Sequence, residues 1–465
     1  MRPILLASAA ALALAGCASG HDYVAKPLPP SATAPLIGAE GTPLVSAALP
    51  QSNWWRLYQD PVLDGLVADA LAANTDVRVA AARVAKARAI LREERGAREP
   101  QVGVGVGAEY GRLPGPSVPG QSRTDVQADL GLDLAYEVDL FGRLSRRVEA
   151  AGGDLAATVA EAEATRIAVV AETTRAYADA VSAAERIQVA QRIVGLLDES
   201  LALTERRREV GIATGLDTAR IAGLRDQRLA EVPLLEAERT AALFRLATLT
   251  GRPPRDLPPQ AAARTSSLRV TQAIPVGDGA TLLARRPDVR AAERRLAATT
   301  ARIGVATADL YPRITLGGSV GSSSSGLGDI FSGNALSWLI GPLLNWTVNR
   351  SAARARIAGA EADTQEALAS FDAAILQALE ETETALSNYQ RSVERRDALR
   401  AALDQAEAAL RITRARQREG DISSLDLLDS ERTAADTQAA LAQADAQISI
   451  AQIALFRALG GGWES

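Results

Sequence analysis

The chain has 465 residues, 47 % of them apolar but only 4 % aromatic, and its formal net charge is −5 at neutral pH. That acidic balance argues against a general nucleic-acid binder, which needs a basic face. One cysteine, Cys17, and one histidine, His21, exclude an intrachain disulfide, a Cys-based metal cluster, a His-based triad and a multi-His metal site. No enzyme and no resident cofactor is expected.

At the N-terminus, Arg2 is followed by an apolar run from Ile4 to Leu14, too short to span a bilayer as a mature helix. The next residues, Leu14-Ala15-Gly16-Cys17, resemble a bacterial lipoprotein cleavage box. The resemblance implies a signal peptide over residues 1–16, cleavage before Cys17 and a covalent lipid on that cysteine. Ala18 at the next position resembles lipoproteins sent on to the outer membrane. The plain alternative is a secretory signal with an incidental cysteine. Without residues 1–16 the formal charge becomes −6, since one Arg is lost.

Residues 17–52 carry Pro27, Pro29, Pro30, Pro35, Pro43 and Pro50 and read as an extended tether. A helix should start at Asp60-Pro61, with Asp as cap and Pro in the first turn. A second is expected from about Thr75 to Arg98. The period then falls to two: Val102, Val104, Val106, Ala108 and Tyr110 alternate with Gln101, Gly103, Gly105, Gly107 and Glu109. After a Pro/Gly-rich loop the alternation resumes over Val126–Tyr136, which makes a hairpin over about 101–137. The Gly103-x-Gly105-x-Gly107 spacing belongs to this strand and lacks the following helix of a nucleotide loop.

From about Asp139 to Glu209 the sequence reads as one helix interrupted only by Gly152-Gly153 and Gly195, roughly 105 Å long. Its return partner spans about Asp217 to Thr250, with Pro233 as the expected kink. A Pro-rich surface strap over 252–285 follows, and then the plan repeats: a hairpin over about 313–348, a long helix near Ser351–Glu419 and a return helix near Ser423–Leu459. In the second hairpin the last strand is the least regular, because Leu339 and Leu343 break the alternation and Pro342 removes a ladder donor.

The repeat is also visible residue by residue. Asn74-Thr75-Asp76-Val77-Arg78 is answered by Arg286-Pro287-Asp288-Val289-Arg290 at an offset of 212. Glu172-Thr173, Gly211, Leu216-Asp217 and Gly251 are answered by Glu381-Thr382, Gly420, Leu425-Asp426 and Gly460 at an offset of 209. Two copies, 53–251 and 286–460, with a short tail at 461–465, indicate a supersecondary unit that cannot bury its apolar face alone. Each strand has about the length that crosses a bilayer when tilted. Four strands cannot close a barrel, and an open edge is not tolerated in lipid, so several chains would have to share one. Two chains would give a side-chain-filled barrel and three would leave a lumen. The soluble alternative is a sheet packed on its own helices.

Several runs carry a family resemblance: Trp54, Leu57, Tyr58, Asp60-Pro61, Leu63 and Leu66; Asp139-Leu140-Phe141-Gly142-Arg143; and, most specific, Arg286 to Leu296 with Ile303-Gly304, Ala306, Ala308 and Tyr311-Pro312. From about residue 50 to 460 the chain resembles the outer-membrane factor family, the TolC-like channel-tunnels of efflux pumps. Within it, the likeness is to the lipoprotein branch with NodT- and OprM-type channels. The resemblance implies a mainly α fold with a membrane β part: a homotrimer sharing a 12-stranded barrel in outer-membrane lipid, continued by a coiled-coil tunnel through the periplasm. It implies as partners a periplasmic adaptor protein and an inner-membrane efflux transporter, of the RND type. The function implied is a passive exit duct for small molecules such as drugs. A duct for type I protein secretion, or a structural periplasmic coiled-coil lipoprotein, are the alternatives.

Under that resemblance Leu425, Asp426 and Asp429 lie at the periplasmic aperture. Asp426 and Asp429 are three apart and share a helix face, so threefold symmetry would crowd six carboxylates around one axis and attract cations. The ordinary alternative is a solvated acidic face with Asp429 paired to Arg432. The turns containing Gly211, Thr214 and Asp217, and Gly420, Ile422 and Ser423, are expected to be adaptor-docking tips, with both glycines serving equally as helix C-caps. Trp338 and Trp346 resemble interfacial girdle residues. Glu109, Asp129 and Asp133 are candidate lumen carboxylates, or simply lumen polarity.

Overall fold

A computed structural model describes residues 19–112, 124–325, 330–331 and 336–461. Cys17 therefore lies outside the described residues, as do most of the two long strand-to-strand loops. The helices in chain order are α1 (Pro61–Ala73), α2 (Thr75–Gly96), α3 (Arg143–Glu209), α4 (Gly215–Leu229), α5 (Glu231–Leu249), α6 (Gly279–Arg285), α7 (Pro287–Ala308), α8 (Arg350–Glu419) and α9 (Ser424–Ala458). The strands are β1 (Val45–Ser46), β2 (Gln101–Arg112), β3 (Thr124–Val138), β4 (Ile274–Pro275), β5 (Arg313–Ser325) and β6 (Leu336–Asn345). The chain divides into two compact units. One comprises Met1–Lys26, Arg83–Val159 and Ala291–Asp372; the other comprises Pro27–Ala82, Ala160–Arg290 and Ala373–Ser465.

The first unit holds the sheet. The two hairpins, far apart in sequence, join through β3 and β5 into four antiparallel strands in the order β2-β3-β5-β6. The register sets the faces, because residues paired across strands point the same way. Val104, Leu132, Val320 and Trp338 share one row, and Val102, Leu134, Gly318 and Ile340 another. The rows between them are Gly103, Asp133, Ser319 and Leu339, then Gly105, Gly131, Gly321 and Ser337. Thus one face is mostly apolar, with Ser322 and Ser324 among its side chains, and the other is mostly Gly, Ser and Asp, with Leu339 and Leu343 on its last strand. The apolar face is bare: Val104 is 72 % exposed, Trp338 74 % and Ile340 73 %. Leaving those side chains with Val102, Val106, Leu132 and Leu134 in water forgoes roughly 10–20 kcal/mol of burial, as much as the whole stability of a typical domain. The sheet is not packed on the chain's own helices, so the soluble alternative fails.

Aromatic and polar contacts gather where the strands meet the helices. Phe141 stacks on Tyr311 with ring centroids 4.5 Å apart, and the Trp346 indole donates to the Leu310 carbonyl at 3.2 Å. The long helix α3 starts at Arg143 rather than at Asp139, because the Asp139 carboxylate accepts from the Leu144 and Ser145 amides and so acts as the cap. Gly152-Gly153 does not interrupt α3. A side chain at Gly153 would meet Ala298 of α7 at 2.9 Å, so this glycine admits a close helix contact instead of a bend. The first described residues of the expected tether are also held: Ser19 donates to Phe141 O, and Arg146 binds Ser19 O and Asp22.

The second unit has an apolar core, in which Trp54 stacks on Phe456 at 4.7 Å and Tyr177, Leu246, Leu386 and Leu455 are fully buried. Three corrections to the sequence expectations arise here. The tether is docked beyond Pro27, since Leu36 is buried and the Ile37 and Gly38 amides donate to the Glu383 carboxylate. The strap is not superficial either: Leu268, Val270, Ile274 and Val276 are buried, and β4 pairs in parallel with β1. Asp60 caps α1 through Oδ1 and accepts from Tyr177 and Arg264 through Oδ2, which ties α1, α3 and the strap together. The return helix of the first copy breaks at Ala230 rather than at Pro233. Pro233 becomes the third residue of α5, where a missing N–H costs little. Helix α9 is the one described helix long and apolar enough to cross a membrane. It is largely buried within its unit, as a core helix is.

The doubled sequence produces a doubled joint. Asn74, before α2, donates to Leu249 O at the end of α5 at 2.9 Å, while Arg286, before α7, donates to Ala458 O at the end of α9 at 3.0 Å. These pairs stand at the 212 and 209 offsets read from the sequence. Thr173 and Thr382, also equivalent, are both fully buried.

Candidate functional site

The two helix turns of the second unit are built alike. After α3, Gly211 takes φ 78° and the Gly211 and Ile212 amides bond back to Arg208 O and Arg207 O; after α8, Gly420 takes φ 80° and the Gly420 and Asp421 amides bond back to Gln417 O and Arg416 O. This left-handed C-cap favours glycine because it has no Cβ to clash. The next helix is opened by a reciprocal capping box. Thr214 Oγ donates to Asp217 at 2.7 Å and accepts from its amide; Ser423 Oγ and Asp426 do the same at 2.7 Å. Both glycines are C-caps, as one of the two expectations held. The hydrogen bonds from Thr214 keep the Asp217 carboxyl below its ordinary pKa. Arg207 of α3 joins the turns by donating to Gln417 O at 3.3 Å.

The expected aperture residues therefore differ in kind. Asp426 has a structural task as the capping acid of α9. Asp429, one turn on, is exposed and has no side-chain partner among the described residues. The expected Asp429–Arg432 pair does not form; Arg432 lies nearer Asp436, at 3.8 Å. Leu425 is 52 % exposed beside them, and the apolar Val210, Ile212 and Leu216 protrude from the other turn. Glu109, Asp129 and Asp133 all lie on the polar face of the sheet, Asp129 in register with Gly107 and Ser323, and Asp133 with Gly103 and Ser319. Trp338 is the third residue of β6 and Trp346 directly follows its last. They are eight residues, roughly 26 Å, apart along the strand direction. Among the described residues no group of three or more His, Cys, Asp or Glu is placed to hold a metal ion.

A buried carboxylate behind the tips was missed from the sequence. Glu431 of α9 is 5 % exposed and accepts from Ser200 Oγ of α3 at 3.1 Å and from the Arg414 guanidinium of α8 at 3.3 Å. Its signal was positional: it stands four residues after Leu427 and three before Ala434, on the buried seam of α9. Arg228, also unforeseen, clasps the α4–α5 break by pairing with Glu231 at 2.8 Å and with Asp436 of α9.

The described chain thus holds an open four-stranded sheet with one bare apolar face and helices of 67 and 70 residues. The chain belongs to the outer membrane efflux protein family, whose family model matches residues 66–252 and 280–461. It is an outer-membrane channel component of an efflux pump and resides in the outer membrane. Among its relatives, the outer membrane protein OprJ of Pseudomonas aeruginosa is 34 % identical, over 90 % of this chain and 88 % of that protein. Nodulation protein T of Rhizobium leguminosarum bv. trifolii is 30 % identical over 97 % and 96 %. The solved outer-membrane channel OprN aligns over 96 % of this chain and 99 % of its own, with 37 % identity and a TM-score of 0.89. The open-state outer membrane channel MtrE of Neisseria gonorrhoeae aligns with a TM-score of 0.82 at 26 % identity, over 95 % and 98 %.

Proposed function

We propose that three copies of this chain form a passive exit duct for small molecules: a shared 12-stranded barrel in the outer membrane and, below it, a tunnel of coiled helices. The observation that carries this reading is the sheet with two open edges and a bare apolar face. With four alternating strands, β6 of one copy can only meet β2 of the next antiparallel, so the barrel closes with a single strand sense pattern. Twelve strands leave a lumen, which the Gly/Ser/Asp face would line with Glu109, Asp129 and Asp133 facing water. Trp338 and Trp346 would sit at the two lipid–water boundaries. Two tandem repeats, 53–251 and 286–460, joined by 252–285, supply the barrel and tunnel strands twice over.

At the periplasmic end, the paired turns would dock a periplasmic adaptor that links the duct to an inner-membrane transporter of the RND type. The exposed Val210, Ile212, Leu216 and Leu425 suit such a contact. Asp429, with Asp426 behind it, would ring the aperture with carboxylates and favour cations. A lipid on Cys17 would add an anchor. Small solutes are the preferred cargo, because a toluene efflux pump outer membrane protein, TtgF of Pseudomonas putida, is 31 % identical over the whole of this chain. The test is native mass spectrometry from detergent: a trimer whose protomer starts at an acylated Cys17 is expected. A monomer that stays dispersed without detergent would overturn the duct.

A further inference from the structure

Glu431 sits where three helices converge just behind the tips, and nothing in its position serves a turn or a cap. It is buried on the seam of α9, bonded to Ser200 of α3 and Arg414 of α8. Beside it lies a cavity of about 80 Å³ lined by Leu197, Leu403, Glu407, Arg414 and Ala435, with room and polar partners for water. The ionisable groups facing it are therefore Arg414 and Glu407, both from α8. Helix α3 lines this cavity with apolar side chains and meets Glu431 through the Ser200 hydroxyl. Of the three cations of α4, which also packs on α9, Arg225 pairs with Asp198, Arg228 pairs with Glu231 and Asp436, and Arg220 acts on Asp217 at the tip.

We propose that Glu431 is a proton-controlled catch that holds α9 against α3 and α8 when protonated and loosens them when ionised. A buried carboxylate with two hydrogen-bond donors and a single, partly exposed guanidinium is incompletely compensated as an anion. Burial raises its pKa, against the opposing pull of Ser200 and Arg414. The packed arrangement thus binds the proton more tightly than one in which water reaches the carboxylate. By linkage, acid favours packing, and rising pH through the raised value favours separation. The consequence for opening rests on the duct reading above; the change in packing does not.

The test is hydrogen–deuterium exchange across residues 427–438 of the full-length protein in detergent, from about pH 5 to about pH 8, after correction for intrinsic exchange, with bilayer conductance recorded in parallel. In the wild type, protection of this segment should fall at least about threefold over that range and conductance should rise. Glu431→Gln, which keeps the shape and removes the charge, should hold the protected state with no pH dependence. Arg414→Gln removes the compensating cation and should move the transition to higher pH. Equal pH profiles in the wild type and Glu431→Gln would overturn the catch. A pH-dependent exchange in a protein that does not conduct would leave the catch standing and remove the duct.

Discussion

The two turns at the helix tips are near copies, yet the helices that leave them are not. Both turns use a left-handed glycine and a hydroxyl–aspartate box. From the first, α4 runs only 15 residues and breaks at Ala230, clasped by Arg228; from the second, α9 runs 35 residues unbroken over the buried Glu431. At the 209 offset Pro233 corresponds to Ala442, and Arg220 corresponds to Asp429. What the copies share maintains the turn. Where they differ, one has an acid and a base, Asp217 and Arg220, and the other has two acids, Asp426 and Asp429. The comparison assigns Asp426 to the architecture and leaves Asp429 as the residue for the proposed aperture charge.

The largest expected effect comes from moving the break. Ala442→Pro would remove an interior hydrogen bond and clash with the preceding turn of α9, at a cost of about 3 kcal/mol. It should lower the thermal midpoint well beyond any tip substitution, whereas Pro233→Ala should be nearly neutral. Next, Gly211→Ala and Gly420→Ala each force a side chain into the left-handed region, at a cost of about 1–2 kcal/mol. Equal losses are expected if the two turns are equivalent, and thermal unfolding of the two variants would expose any asymmetry. Thr214→Ala and Ser423→Ala should each cost about 1 kcal/mol as lost caps.

The smallest effect is a matter of pH. Because Asp217 is held below its ordinary pKa by Thr214, its stabilisation is present above the ordinary carboxylate pKa. It is lost as pH falls through the lowered value. Thr214→Ala should remove that acid-side slope from the unfolding free energy and leave the neutral-pH slope alone.

Much of this anatomy was legible in the sequence because it is written in local periods. Alternation of two over 101–137 marked a hairpin with distinct faces, and Asp60-Pro61 marked a helix start. The acid pair at Asp426 and Asp429 was visible as a spacing, but which of the two has a free carboxylate was not, since the capping bond depends on how Ser423 turns. What could not be read was non-local. Proline-rich stretches look extended, yet Leu36 and Ile274 are buried against helices more than 100 residues away. Nothing near Glu431 names Ser200 as its partner, because the two are 231 residues apart. The break at Ala230 was displaced from Pro233 because a proline is tolerated in the first turn of a new helix, a choice that tertiary packing makes.

The most direct test of the central claim is single-channel conductance and ion selectivity of the purified protein in a planar bilayer, comparing the wild type with Asp429→Arg and Asp426→Asn. An acid-ringed duct should show a small, cation-leaning conductance in the wild type. It should reverse toward anions in Asp429→Arg, which gives the second tip the charge of the first, and change little in selectivity in Asp426→Asn. No conductance from any form, or a selectivity that ignores Asp429, would contradict it.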